Sequence, residues 1–470
     1  MQNIINGKKC DASDKSVFNV SNPFNSRKID TAPNSTERDV KRAIAYAKSE
    51  FEMWRQVPVS TKVDLLNIFM TKLIENKDEL ARLLNKETGM TVKQSELEIE
   101  KVRVGFLNYL EQAKHVCGKC VQAGTEFGFE KTVQMTTREP YGVACGLISE
   151  FNPCEDFVNM VAPTILTGNV IVLFAPEENP LTVLMLTELM VSSGLPGGVV
   201  QCIAGEREKT ANLMIINPDF DLIFCFENKE YVQLIKKLSS VRNVQSVLRY
   251  EGNDAMIILE DADIDLAIEE TLASKMSYAG QNFGAPKRFI IEKSIQTQFE
   301  EQLAQAFSEL VVGNPKDEET QVGVLCSKKA SKRLVNQLKD ILAEGGHVVC
   351  GGQIEEVQIT PSIITNVPRE AQVANDQIIN APVVVIIPCE DVNDAISIAN
   401  QAQEPYSAGV FTQNITKAFQ VVNGLNSGNV VVNGAPSTRS FEIGQTAEEG
   451  QLDMFNQVTK TKTTTLKNLF

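Results

Sequence analysis

Val170-Ile-Val-Leu-Phe174, then Asn179-Pro180 opening an apolar run, then Gly194-Leu-Pro196, then Val199-Val-Gln-Cys-Ile203: this stretch decides the fold. Two β-rich runs flank one helix whose ends are both marked. Asn179 stands at a cap position with Pro180 at the first helical position, and Gly194 followed by Pro196 stops the helix. A strand, a helix and a strand in this order make a parallel crossover. Further strands are expected at Val143–Ser149 and Leu222–Phe224. Upstream the chain reads as helical. Val40, Ile44, Ala47, Phe51 and Trp54 recur at steps of three and four, and a second helix from about Thr61 places Val63, Leu66, Phe69 and Leu73 inward. Asn76 is placed to cap a third helix, with Glu79 following and Gly89 ending it. A second alternating series starts near Ala255. It runs through Arg288–Glu292, a helix after Ser294, His347–Cys350, Val383–Ile387, a helix after Asp391, Ala408–Thr412 and Asn429–Asn433. Two α/β units in succession follow. The tail 458–466 alternates Thr with Lys and reads as an extended strand, polar enough to pair with a partner subunit.

The whole chain has 470 residues, 45 Lys+Arg against 60 Asp+Glu, and a net charge of −15. At 43% hydrophobic and 22% charged it is globular rather than disordered. An acidic balance argues against nucleic acid or an anionic membrane as partner. No run approaches the ~20 apolar residues of a membrane span. The opening Met1-Gln-Asn-Ile-Ile-Asn-Gly-Lys8 lacks the pattern of a secretion signal. The ten cysteines are scattered, so free thiols in a reducing cytoplasm are expected rather than a disulfide framework.

Several further segments resemble the aldehyde dehydrogenase superfamily, in order and over nearly the whole chain. They are Ile5-Asn-Gly-Lys8, Val20-Ser-Asn-Pro23, Arg138-Glu-Pro-Tyr-Gly-Val143, Leu166-Thr-Gly-Asn-Val-Ile-Val-Leu173, Gly194-Leu-Pro-Gly-Gly-Val199, Asp261-Ala-Asp263, Ala279-Gly-Gln281, Lys287-Arg288, Val312-Gly-Asn-Pro315 and Ala381-Pro-Val383. The fold this implies is α/β and aldehyde-dehydrogenase-like, two α/β domains with parallel-rich sheets plus a β oligomerisation arm. The implied division is 1–120 with 139–250 as a Rossmann-like cofactor domain, 251–430 as a catalytic-type domain, and 121–138 with 431–470 as the arm. A homo-oligomer, dimer or tetramer, is implied with it.

The resemblance also says where chemistry belongs. The family's thiolate nucleophile falls two residues after Gly280-Gln281, where this chain has Phe283, which offers no nucleophilic atom. The general-base glutamate falls at Arg249, which cannot accept a proton near neutrality. Glu251, two residues on, is the displaced alternative. Asn152 in Glu150-Phe-Asn-Pro-Cys154 retains the family's oxyanion donor, either as a remnant or as a plain turn residue at a strand end. For the cofactor, Phe174 replaces the Lys that holds the adenosine ribose, while Glu177 matches the Glu after it. The phosphate turn Phe-Thr-Gly-Ser-Thr-x-x-Gly reads Phe224-Cys-Phe-Glu-Asn-Lys-Glu-Tyr231 here. Phe226 and Tyr231 thus stand where glycines would admit the phosphate, and Glu227 sets a negative charge there. Gln377-Ile-Ile-Asn-Ala-Pro-Val383 lacks the acids and aromatic expected at the nicotinamide ribose.

The implied protein is a catalytically degenerate family member with a binding, regulatory or structural role, its small-molecule ligand unidentified and no cofactor expected. NAD or NADP would bind only if the cleft is less occluded. The rival reading is an NAD(P)-dependent aldehyde oxidoreductase with a displaced nucleophile, Cys154 or Cys225, both of which also read as small buried apolar residues. Arg249 facing Phe283 would make a cation–π pair. Cys117-Gly-Lys-Cys120 and His347 lack the companions a metal site needs, so no metal is expected. Arg439 is a candidate anion ligand.

Overall fold

The computed structural model describes residues 1–124, 127–403, 405–437 and 451–467, without the side chains of 451–453. Four helices, Glu37–Trp54, Val59–Glu75, Lys77–Thr88 and Val92–Ala113, precede the first central sheet strands. The helix between Val170–Pro176 and Val200–Gly205 runs Pro180–Ser192 and completes the expected crossover. The first sheet orders its strands Gln245–Arg249, Leu222–Phe226, Val143–Leu147, Val170–Pro176 and Val200–Gly205, all parallel. Asn3–Ile5 and Lys8–Cys10 extend it antiparallel. The chain passes from Val143 outward to Val200 and then returns to the other side of Val143. The strand order therefore switches between Val143–Leu147 and Leu222–Phe226. In a parallel sheet the crevice for ligands opens at the carboxyl ends of such strands, here at residues 148–152 and 226–228.

The second sheet runs His347–Cys350, Ser362–Thr365, Val383–Cys389, Arg288–Glu292, Ala255–Ile258, Ser407–Phe411 and Asn429–Val432. It is parallel except at its His347–Cys350 edge. Alternate residues face opposite layers: Ile257 and Ile290 belong to one apolar cluster, Met256, Ile258, Phe289 and Ile291 to the other. Cys120–Val121, Thr132–Pro140 and Thr459–Lys467 form a third, antiparallel sheet. The fold is thus two α/β units with an additional β-rich arm. The tail strand pairs along its whole length with Thr132–Pro140 of its own chain; among the described residues it is the edge of that sheet, so its outward N–H and C=O groups have no strand partner.

Two expected caps are corrected. Asn76 makes no side-chain cap to the helix after it; its Nδ2 donates instead to Lys72 O at 2.8 Å, closing the helix before it. Asn179 likewise caps nothing and donates to Glu150 O at 2.9 Å. The start of helix Pro180–Ser192 is capped by the buried Glu87 carboxylate, which accepts from the Thr182 N–H at 2.9 Å, the Thr182 hydroxyl at 2.7 Å and the Leu181 N–H. Gly89 does end its helix, in the left-handed conformation with φ +76°. Among the described residues no helix is long and apolar enough to cross a membrane.

Candidate functional site

Asn152 precedes the first turn of helix Pro153–Leu166, Arg249 ends strand Gln245–Arg249, and Phe283 lies in the turn after Ser277–Gly280. All three line one cavity at the strand-order switch, with Phe226, Tyr250, Asp254 and Tyr406. Its volume is ≈ 20 Å³, room for about one water molecule.

Large side chains close it. The Phe283 ring sits 5.5 Å from Phe151 and is 9% exposed. The turn that carries Phe283 is pinned by Gln281, whose Nε2 donates to Tyr278 O at 3.0 Å and Val324 O at 3.1 Å. Its Oε1 accepts from the Cys326 N–H at 2.8 Å. Arg249 and Phe226 are register partners on adjacent parallel strands, and the Arg249 guanidinium stands 4.8 Å from the centre of the Phe226 ring. The cation–π partner of Arg249 is therefore Phe226 rather than Phe283. Sheet register decides this, because lateral neighbours are closer than groups facing across the cleft. Arg249 also donates to Met454 Sδ at 3.1 Å.

The reserve groups are placed away from this cavity. Glu251 accepts from Asn380 Nδ2, and Asn380 Oδ1 in turn accepts from Lys287 Nζ at 2.8 Å. Lys287 also reaches Asn282 O at 3.1 Å, and burial draws its pKa down to about 8. Cys154 and Cys225 are 1% and 0% exposed, and burial pushes both thiols well up. Neither sulfur has the exposed, electropositive surroundings of a reactive thiolate. Among the described residues the cavity lining includes no cysteine.

On the cofactor side, Phe174 is fully buried on its strand and packs as core. Glu177 accepts from the Arg207 N–H at 2.7 Å. Arg207 opens a π-helical turn, Arg207–Ala211, and its Nη1 ion-pairs with the buried Glu227 carboxylate. Its Nη2 lies 3.6 Å from Glu178 Oε2, and its guanidinium is 6.0 Å from the centre of the Tyr231 ring. Burial raises the Glu227 pKa, opposed by the Arg207 charge. Asn228 caps helix Lys229–Arg242, its Oδ1 accepting from the Tyr231 N–H at 3.0 Å. The Asn228 N–H is 3.4 Å from Glu227 Oε2. Donors that an anion would use at this helix start thus already serve the chain's own side chains. Sequence reasoning passed over Arg207 and Glu178; the alternating charges of Gly205-Glu-Arg-Glu-Lys209 were the available signal. Arg439 lies outside the described residues. Among those described, no group of three or more His, Cys, Asp or Glu could hold a metal ion.

The model of the aldehyde dehydrogenase family matches residues 10–446. A lactaldehyde dehydrogenase of Methanococcus aeolicus is 29% identical over 93% of this chain and 92% of its own. The NADP(+) succinate-semialdehyde dehydrogenase GabD of Escherichia coli is 27% identical over 92% and 89%. The solved structure of an E. coli NADP-dependent enzyme superposes with a TM-score of 0.94 at 25% identity, covering 99% of this chain and 98% of that one. With fold, motif order and family model in agreement over the same residues, the chain belongs to the aldehyde dehydrogenase family.

Proposed function

We propose that this chain has kept the family's fold and surrendered its covalent chemistry, acting through binding in a regulatory or structural role as a homo-oligomer. The observation that carries this reading is the ≈ 20 Å³ cavity closed by Phe283. An aldehyde with even a short stem needs more room, and thiohemiacetal formation needs a thiolate within reach of it. Arg249 beside the cavity cannot take up a proton. Asn152 still lines the cavity, so a developing oxyanion would have its donor but no attacking atom. NAD(P) is the cofactor implied by the family, and the residues present do not fit its pyrophosphate. Glu227 and the N-cap Asn228, just before helix Lys229–Arg242, stand in its place with the Arg207 ion pair.

A second reading is an NAD(P)-dependent aldehyde oxidoreductase. The relatives named above are dehydrogenases by name over nine-tenths of the chain, which favours this reading over a non-catalytic one. Burial of Cys154 and Cys225 then requires a cleft that opens. One experiment separates the two. Purified protein is heated with and without millimolar NAD or NADP, then assayed with lactaldehyde and succinic semialdehyde. The non-catalytic reading expects no thermal shift and no reduced nucleotide; the oxidoreductase reading expects both.

A further inference from the structure

Helix Pro153–Leu166 has the cleft at its start and a second, larger cavity at its end. At ~1.5 Å per residue the two lie roughly 20 Å apart. The second cavity has a volume of ≈ 510 Å³ and sits where the arm strand Thr132–Pro140 meets the ends of helices Glu37–Trp54, Val59–Glu75, Val92–Ala113 and Pro153–Leu166. Lys62 lines it and is only 3% exposed. Its Nζ stands 5.3 Å from the centre of the Trp54 ring. Among the described residues it has neither a hydrogen-bond acceptor nor a carboxylate partner. Gly168, at φ +94°, keeps the space open, since a Cβ there would lie 3.2 Å from Lys62 Nζ and 3.2 Å from Arg55 Cα.

Arg55 supplies a second, exposed cation on the same lining, its guanidinium 5.4 Å from the centre of the Phe51 ring and its charge acting on Glu139. Arg138, the third, is already committed, donating to the hydroxyls of Thr459 at 2.8 Å and Thr461 at 2.7 Å. Glu139 is the one carboxylate among the described lining residues, and Lys462 holds it at 2.9 Å. Val57, Leu166 and Phe455 give the cavity an apolar wall.

A buried ammonium with no counter-ion is destabilising, and this one faces a void of ligand size. We propose that the cavity is an oxyanion site for a small molecule carrying a carboxylate or phosphate on a short apolar stem, its head between Lys62 and Arg55 and its stem on the Val57, Leu166 and Phe455 wall. Burial has already drawn the Lys62 pKa down to about 8, and a bound anion reverses that shift. The site is independent of dinucleotide and aldehyde because the cleft is at the far end of the helix.

The test is thermal unfolding in chloride buffer at constant ionic strength, titrated with inorganic phosphate, hexanoate or hexyl phosphate. Wild-type Tm is expected to rise by several degrees at saturation, with hexyl phosphate binding at least tenfold more tightly than inorganic phosphate. Lys62→Met is expected to lose the anion-dependent rise while melting above wild type in its absence, and Lys62→Arg to retain it. Arg55→Ala, at an exposed position, keeps the test open should Lys62→Met not fold; its anion affinity is expected to fall about tenfold with unchanged Tm in chloride. An equal rise in wild type and Lys62→Met, an unchanged affinity in Arg55→Ala, or no rise in wild type with any probe overturns the site. Equal affinity for inorganic and hexyl phosphate overturns the apolar stem.

Discussion

Arg249 and Phe226 are the pair on which the reading of the cleft turns. They fill it from two neighbouring strands, and Phe283 closes it from the other sheet's side. Restoring chemistry therefore takes more than two substitutions. Phe283→Cys with Arg249→Glu should give no aldehyde-dependent NADH or NADPH above wild type, because Glu227, Arg207 and Phe226 still occupy the phosphate turn. Turnover by that double variant, measured by nucleotide absorbance, would falsify the claim that the cofactor side is blocked. Arg207 holds the charge balance there. Arg207→Met leaves the buried Glu227 unpaired and should cost about 3 kcal/mol in denaturant unfolding. Lys62 sets a pH dependence of opposite origin. Its folded pKa of about 8 lies below the ordinary 10.5, so between those values the unfolded chain binds a proton that the folded chain has released. Stability from this residue therefore rises with pH across that window. In anion-free buffer Lys62→Met should exceed wild type by about 3 kcal/mol below pH 8, with the difference vanishing by about pH 10.5.

Turns and helix ends are the elements that keep this framework in register. The turn at Tyr278, Ala279 and Gly280 runs through three consecutive positive φ values, 48°, 49° and 71°. A Cβ on Gly280 would stand 2.2 Å from Ala381 O. Gly280→Ala should thus lower stability by at least ~2 kcal/mol through backbone strain and displacement, read from the denaturation midpoint. Helix Pro180–Ser192 shows what a sequence can and cannot convey. Pro180, Gly194 and Pro196 mark its ends by local backbone rules, so its limits were legible. Its cap was not, since Glu87 arrives from ninety-four residues away, and only tertiary packing brings it there. The same limit explains the Arg249 partner. Phe226 and Arg249 were both singled out from sequence, yet their adjacency depends on strand order. Glu87→Ala should cost about 2 kcal/mol by leaving the Leu181 and Thr182 N–H groups without their acceptor.

At the scale of the whole molecule, both sheets follow the strand series read from alternating β-rich runs and helices. Most of the architecture was legible because glycine, proline and apolar periodicity act locally. The strands at Ser362–Thr365 and Gln245–Arg249, and the antiparallel Asn3–Ile5 and Lys8–Cys10, went unread, because their place in a sheet is set by lateral pairing with distant strands rather than by local pattern. Met454, Phe455 and Val458 pack into the first unit's core and fix the start of the tail strand there, while its pairing with Thr132–Pro140 joins it to the arm. We keep the division into cofactor-type, catalytic-type and arm segments, and the dimer or tetramer built through that arm, as proposals resting on this layout. The central claim is that the family's fold persists here around a cleft that receives neither aldehyde nor dinucleotide. Its most direct test is calorimetric titration of the purified chain with NADP and NAD. No saturable heat is expected at millimolar nucleotide. Saturable binding in the micromolar range, accompanied by nucleotide reduction on adding an aldehyde, would contradict it.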